Sequence, residues 1–169
     1  MLRDISTLNR LDDAPNMQNF EDVNISEMVQ NIQKETALQL EQRHMTFHDY
    51  LPGELIVKGS PSLLYSVFRN LTDNAIAYAG EGTSITLTAE RHTDYWTFVF
   101  SDNGVGVPPE HLSRLFERFY RVDKARSRRN MGTGLGLAIV KHICNYYEFN
   151  ISLDSELGKG SQFTIHFPE

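Results

Sequence analysis

An alternating run, Thr83–Glu90, is followed across His92-Thr-Asp94 by a second, Tyr95–Ser101, which passes without a break into Asp102-Asn-Gly-Val-Gly-Val-Pro108. Period-two alternation on either side of a short polar link predicts a hairpin. The carboxylate and two glycines after it end the second strand, placing Asp102 at its rim. Downstream, Gly132-Thr-Gly-Leu-Gly-Leu137 leads into a helix over Thr133 to about Glu148, with Leu137, Ile139, Val140, Ile143 and Tyr147 on its apolar side. Between the glycine-rich stretches lie FERFYRV and the basic DKARSRRN. An acid beside glycines, then cations, then glycines opening a helix point to a nucleotide site. The carboxylate would read a base, the cations would hold phosphates, and the glycines would admit backbone close to the ligand. Taken alone, DNG is the sequence of a plain turn.

The remaining pattern supplies a scaffold. Ser60-Pro61 opens a helix whose Leu64, Val67, Phe68, Leu71, Ala75 and Tyr78 form one stripe. Asn70 and Asn74, four apart, lie side by side on its flank, where two amides suit a polar pocket. Asp22–Ile25 reads as a strand, after which Ser26 is the expected cap of a helix running to Arg43. Met45–Tyr50 and Glu54–Val57 read as strands joined by the Leu51-Pro-Gly53 turn. Asn150–Ser155 and Gln162–Phe167 read as a closing pair across Leu157-Gly-Lys-Gly160. This order predicts an α+β two-layer sandwich: a mixed, mostly antiparallel sheet covered on one face by about three helices.

Leu2, Ile5, Leu8 and Leu11 make an uncapped apolar stripe, fitting either a longer bundle helix or a short helix packed on its own domain. DDAPNMQN has the composition of a linker. At 169 residues the chain has the length of one domain. Its net charge of −6 argues against a general nucleic-acid binder. Arg121, Lys124, Arg126, Arg128 and Arg129 nevertheless concentrate around the single acid Asp123, which suits a compact anion. The lone Cys144 excludes an internal disulfide and reads as a buried apolar residue. His44 and His48 are split by a strand start and do not form a helical chelating pair. No apolar run reaches membrane-spanning length, so no membrane contact is expected of this stretch.

Four stretches in order resemble the catalytic ATP-binding domain of sensor histidine kinases, in the Bergerat-fold superfamily shared with gyrase and MutL. They are Asn70-Leu-Thr-Asp-Asn74-Ala75, DNGVGVP at 102–108, FERFYRV at 116–122 and GTGLGLAIVK at 132–141; GKGSQFTIHFP at 158–168 resembles the closing hairpin. A Rossmann signature would require a third glycine at Leu137, and no P-loop motif occurs.

The resemblance implies ATP and Mg²⁺ as ligands. Asp102 would accept a hydrogen bond from the adenine amino group, with Gly104, Gly106 and Val107 forming the adjacent wall. Asn74 would hold the magnesium through its side-chain oxygen, and Asn70 would line the same site as a catalytic residue. Tyr78 would stack near adenine, serve as a core aromatic, or do both. Tyr120, Arg121 and Lys124 would belong to a lid over the nucleotide. Gly132, Thr133, Gly134, Leu135, Gly136 and Leu137 would lead the helix N-terminus to the phosphates. The superfamily's ATPases place a glutamate where Asn70 stands; an asparagine cannot take water's proton, which favours transfer over hydrolysis. Ala77 departs from the family, where lysine or arginine is common, and Met131 replaces a common lid glycine.

None of the six histidines lies in the S-H-E-L-R-T-P-like context of a phosphoacceptor box. The resemblance therefore implies that residues 1–19 are a remnant of the dimerisation-domain helix plus linker, and that 20–169 form the catalytic domain. Its partners would be a histidine-bearing dimerisation domain outside this chain and, downstream, a response regulator. Its setting would be cytoplasmic, including where the parent is membrane-anchored. The alternatives are a non-catalytic nucleotide-binding or docking module and a serine kinase or ATPase of the same superfamily.

Overall fold

The computed structural model describes residues 20–112, 114–117 and 136–168. The element order is β1 (Glu21–Asn24), α1 (Ile25–Glu35), α2 (Ala37–Gln42), β2 (Thr46–Asp49), β3 (Ile56–Gly59), α3 (Pro61–Tyr78), β4 (Ser84–Arg91), β5 (Tyr95–Asp102), α4 (Pro109–Leu112), α5 (Gly136–Tyr147), β6 (Asn150–Glu156) and β7 (Gly160–Pro168). Five strands form one sheet in the order β2-β4-β5-β7-β6. Every pairing in it is antiparallel except β2 with β4. The expected mixed, mostly antiparallel sheet under helices is what the chain forms.

Alternation decides which strand face is buried. Trp96, Phe98 and Phe100 of β5 and Phe163, Ile165 and Phe167 of β7 are buried, while Thr97, Val99, Thr164 and His166 between them remain partly open. The α3 stripe closes over this face. Phe68 meets Phe98 edge to face at 5.1 Å between ring centroids, and Phe167 lies 6.0 Å away. Phe98→Ala would empty the centre of this cluster and is expected to cost about 3–5 kcal/mol. Urea denaturation measures it, and a loss below about 1 kcal/mol would contradict the assigned core.

Three local expectations need correction. Ser26 does not cap the first helix. Asn24 does, its Oδ1 accepting from the Glu27 N–H at 3.0 Å, while the Ser26 hydroxyl donates to the Pro52 carbonyl. The helix also does not run unbroken to Arg43: it stops at the buried Thr36, whose hydroxyl donates back to the Ile32 carbonyl at 2.8 Å. The strands on either side of Leu51-Pro-Gly53 do not pair with each other. β2 joins β4, whereas β3 forms a separate antiparallel pair with β1. The segment between them is held instead by α1, through Ile25 N–H to Leu55 carbonyl at 2.9 Å and Asn24 Nδ2 to Gly53 carbonyl at 3.2 Å.

Helices α3 and α5 run antiparallel, and this sets where the first turn of α5 lies. At the end of α5, the Tyr147 hydroxyl accepts from the Ser60 N–H at the head of α3, at 2.8 Å. At about 1.5 Å per residue, the span from Tyr147 back to Gly136 nearly matches that from Ser60 forward to Asn70. The head of α5 therefore arrives beside Asn70.

Candidate functional site

Two pieces of chain lie along α3: the first turn of α5 against Asn70, and the loop after β5 against Ala79 at the helix's end. The Asn70 Nδ2 donates to the Ser66 carbonyl one turn earlier, at 2.7 Å. Its Oδ1 is thereby turned toward α5, where a Cβ added to Gly136 would lie 3.2 Å from it. Asn74 and Tyr78 succeed it at one-turn steps, both half-buried, and Leu137 packs against the core from the first turn of α5. The amphipathic pattern explains this placement. The apolar stripe must face the sheet, so the asparagines fall on its edge.

Arg69, adjacent to Asn70 in sequence, is engaged elsewhere. Its Nε reaches Asp73 Oδ1 at 3.0 Å and its Nη1 reaches Glu35 Oε1 at 3.1 Å, joining α3 to α1. With alanine at position 77, the described part of α3 offers its asparagine oxygens no cation of its own at that step.

Asp102 is the last residue of β5 and lies opposite Ser161 on β7. Its Oδ1 accepts from the Gly104 N–H at 2.9 Å, and the Ser161 backbone N–H also donates to the carboxylate. Burial raises the carboxyl pKa above the ordinary aspartate value, and the two backbone donors offset this only in part. Asp102 is thus a fixed, poorly hydrated acceptor.

The glycines beside it prove to be packing requirements of the loop itself. A Cβ at Gly104 would lie 2.2 Å from the Ala79 carbonyl oxygen at the end of α3. The neighbouring Val105 N–H donates to that same oxygen at 2.9 Å. Gly106 has φ +72 and would place a Cβ 2.1 Å from the Glu156 carbonyl oxygen. The Val107 N–H donates to the Ser155 hydroxyl at 2.8 Å. The family resemblance assigned Gly104 and Gly106 to the ligand wall; their immediate neighbours are α3 and the β6–β7 turn. It did not single out Ala79, Ser155 or Ser161, whose contributions depend on contacts remote in sequence.

Among the expected site residues, the structure sets Gly136 against Asn70 and Gly104 against the Ala79 carbonyl at the end of α3, with Asn74 and Tyr78 on the helix between those two contacts and Asp102, Gly106 and Val107 in or beside the loop. Tyr120, Arg121, Lys124, Gly132, Thr133, Gly134 and Leu135 lie outside the described residues, as do the helix and linker expected over 1–19. No cluster of three or more His, Cys, Asp or Glu side chains suited to a metal occurs among the described residues. No helix among them is long and apolar enough to cross a membrane.

A strand-end carboxylate, a glycine loop against the end of α3 and an asparagine set against a helix head make up the candidate site of this α+β domain. The chain belongs to the histidine kinase-, DNA gyrase B- and HSP90-like ATPase family, whose model matches residues 59–169. Over 168 residues it is 35% identical to the sensor-like histidine kinase SenX3 of Mycobacterium tuberculosis, covering 99% of this chain and 41% of that protein. It therefore spans less than half the length of this curated relative. Among solved structures, full-length ShkA in complex with AMPPNP superposes with a TM-score of 0.82 at 23% identity, covering 99% of this chain and 35% of that one. Histidine kinase ThkA in complex with the response regulator TrrA gives 0.74 at 19%, covering 99% and 47%. Both share the fold. The family match and the relatives establish an ATP-binding domain of the sensor histidine kinase type.

Proposed function

We propose that this domain binds Mg-ATP between α3, the 102–107 loop and the head of α5, and presents the γ-phosphoryl to a histidine on a separate dimerisation domain. One observation carries the choice of transfer over hydrolysis. The side chain set against the head of α5 is the carboxamide of Asn70, which cannot act as a general base toward water. On this reading Asp102 would supply the acceptor for the adenine amino group, and Tyr78 would pack near the ring. The first turn of α5 would offer its backbone N–H groups to the phosphates.

The donor set fits magnesium. Asn74 would supply a side-chain oxygen from the flank of α3, with Asn70 lining the same site, and this ion takes few protein ligands, filling the remainder from phosphate and water. When bound, it would neutralise charge on the phosphate oxygens. The chain's own contribution is positioning: Asn70 and Asn74 orient the phosphates, and Arg121 and Lys124 of the lid stretch add cations. The acceptor imidazole then forms a P–N bond as the bond to the ADP oxygen breaks. A response regulator receives the phosphoryl group downstream. The ThkA–TrrA complex supports that partner class.

Mixing this chain with a separately produced dimerisation domain and radiolabelled ATP tests the proposal. The expected outcome is acid-labile label on histidine, with little phosphate released when the acceptor is omitted. Nucleotide binding without transfer would instead support a non-catalytic module, the reading favoured by Ala77. Steady phosphate release without acceptor would support a hydrolase.

A further inference from the structure

We propose that Ser155 is a positioning residue for the Asp102 carboxylate: its hydroxyl ties the 102–107 loop to the β6–β7 hairpin and thereby fixes where Asp102 points. A serine hydroxyl has one hydrogen to donate and two lone pairs. Here all three are used. Ser155 Oγ accepts from the Val107 N–H at 2.8 Å, donates to the Gly160 carbonyl at 3.1 Å, and lies 2.8 Å from the Ser161 hydroxyl, which donates to it. Ser161 is also the β7 partner of Asp102. One side chain thus joins the far end of the loop, at Val107, to the residue opposite its near end.

The middle of the loop is held independently. The Gly158 N–H donates to the Val105 carbonyl at 2.7 Å, and Gly106 lies against Glu156. Removing the Ser155 hydroxyl therefore leaves the loop attached but Val107 without its partner. The consequence is a shift in aim. A hydrogen bond to a purine amino group depends on direction and weakens steeply when misaligned, so the effect appears as lost nucleotide discrimination.

This inference rests on the reading of Asp102 as the adenine acceptor, and the experiment separates the two. ATP and GTP affinities are measured by titration for the wild type, Ser155→Ala, Ser155→Thr and Asp102→Asn, and for Ser155→Ala combined with Asp102→Asn. Exchange of the Val107 amide is followed in nucleotide-free protein. Ser155→Ala is expected to weaken ATP binding about 5- to 10-fold, the effect of one lost neutral hydrogen bond. It should also narrow the preference for ATP over GTP and unprotect the Val107 amide. Ser155→Thr, which retains the hydroxyl on a strand, should restore all three. In the Asp102→Asn background the Ser155 substitution should have little further effect, because coupled residues are non-additive. Wild-type affinity and preference in Ser155→Ala, or an equal additional loss in the Asp102→Asn background, overturns the positioning role while the ATP reading stands. A wild-type chain that binds ATP and GTP alike overturns the adenine assignment itself, and the proposal with it.

Discussion

Asp102→Asn is expected to weaken ATP binding roughly 10- to 100-fold, the equivalent of about 1.5–3 kcal/mol for a hydrogen bond to a charged acceptor. The carboxylate accepts inward from the Gly104 and Ser161 N–H groups, and in the proposed complex it would also accept outward from the adenine amino group. An asparagine must put its NH₂ on one side. Facing inward, it opposes a backbone N–H; facing outward, it opposes the adenine amino group. Either orientation leaves two donors pointed at each other.

Stability should move differently. Burial raises the Asp102 pKa above its unfolded value. Its favourable contribution to folding is therefore fully present below the unfolded pKa and is lost as pH rises through the folded one. At neutral pH the ionised group opposes folding, so Asp102→Asn should leave the thermal midpoint of the nucleotide-free domain unchanged or higher. Acidification should weaken ATP binding by the wild type as Asp102 protonates, at a pH above the ordinary aspartate range. The asparagine variant serves as the control, since it retains only the titration of ATP itself. Calorimetric titration across pH and a thermal melt measure both effects. Unchanged affinity in the variant would contradict the adenine assignment.

Gly160→Ala should be the most damaging single-carbon change. Gly160 begins β7 at φ +111, where an L side chain is strained, and its added Cβ would lie 2.0 Å from the Asp102 carbonyl oxygen and 2.9 Å from Asn103 Cα. Both obstacles are backbone, so no rotamer change relieves them. Strain and overpacking together are expected to cost roughly 2–4 kcal/mol, a large share of a typical domain's stability. The backbone of Asp102 must move as well, so nucleotide affinity should fall in whatever fraction remains folded. Gly53→Ala is the matched control: nothing lies within 4 Å of its added Cβ. That variant should remain within about 0.5 kcal/mol of the wild type. Equal denaturation midpoints for the two variants would mean that the β5–β7 approach is not as close as described.

Much of the site could be read in advance because its parts are local. Asn70 and Asn74 lie on one flank of α3 because helical periodicity puts the leucines and phenylalanine of that segment toward the sheet. Asp102 ends β5 because alternation stops there. What could not be read was competition between equivalent local signals. Asn24 and Ser26 are both good caps; the Pro52 carbonyl, distant in sequence, engages the Ser26 hydroxyl and leaves the capping position to Asn24. Likewise, Thr36 ends α1 where nothing in the apolar spacing marks a stop.

The sequence by itself determined the element types, the apolar face of each, and the residue chemistry offered to a ligand: a carboxylate at a strand end, two carboxamides on a helix, glycines where loops begin. Periodicity and side-chain chemistry are properties of neighbouring residues. Only the tertiary structure decided that β2 joins β4 while β3 joins β1, that Gly104 and Gly106 are required by α3 and the β6–β7 turn, and that Ser155 stands between Val107 and the strand opposite Asp102. Those outcomes depend on which remote backbone comes within about 3 Å, and a linear pattern carries no information about that until the antiparallel helices and the closing hairpin have packed.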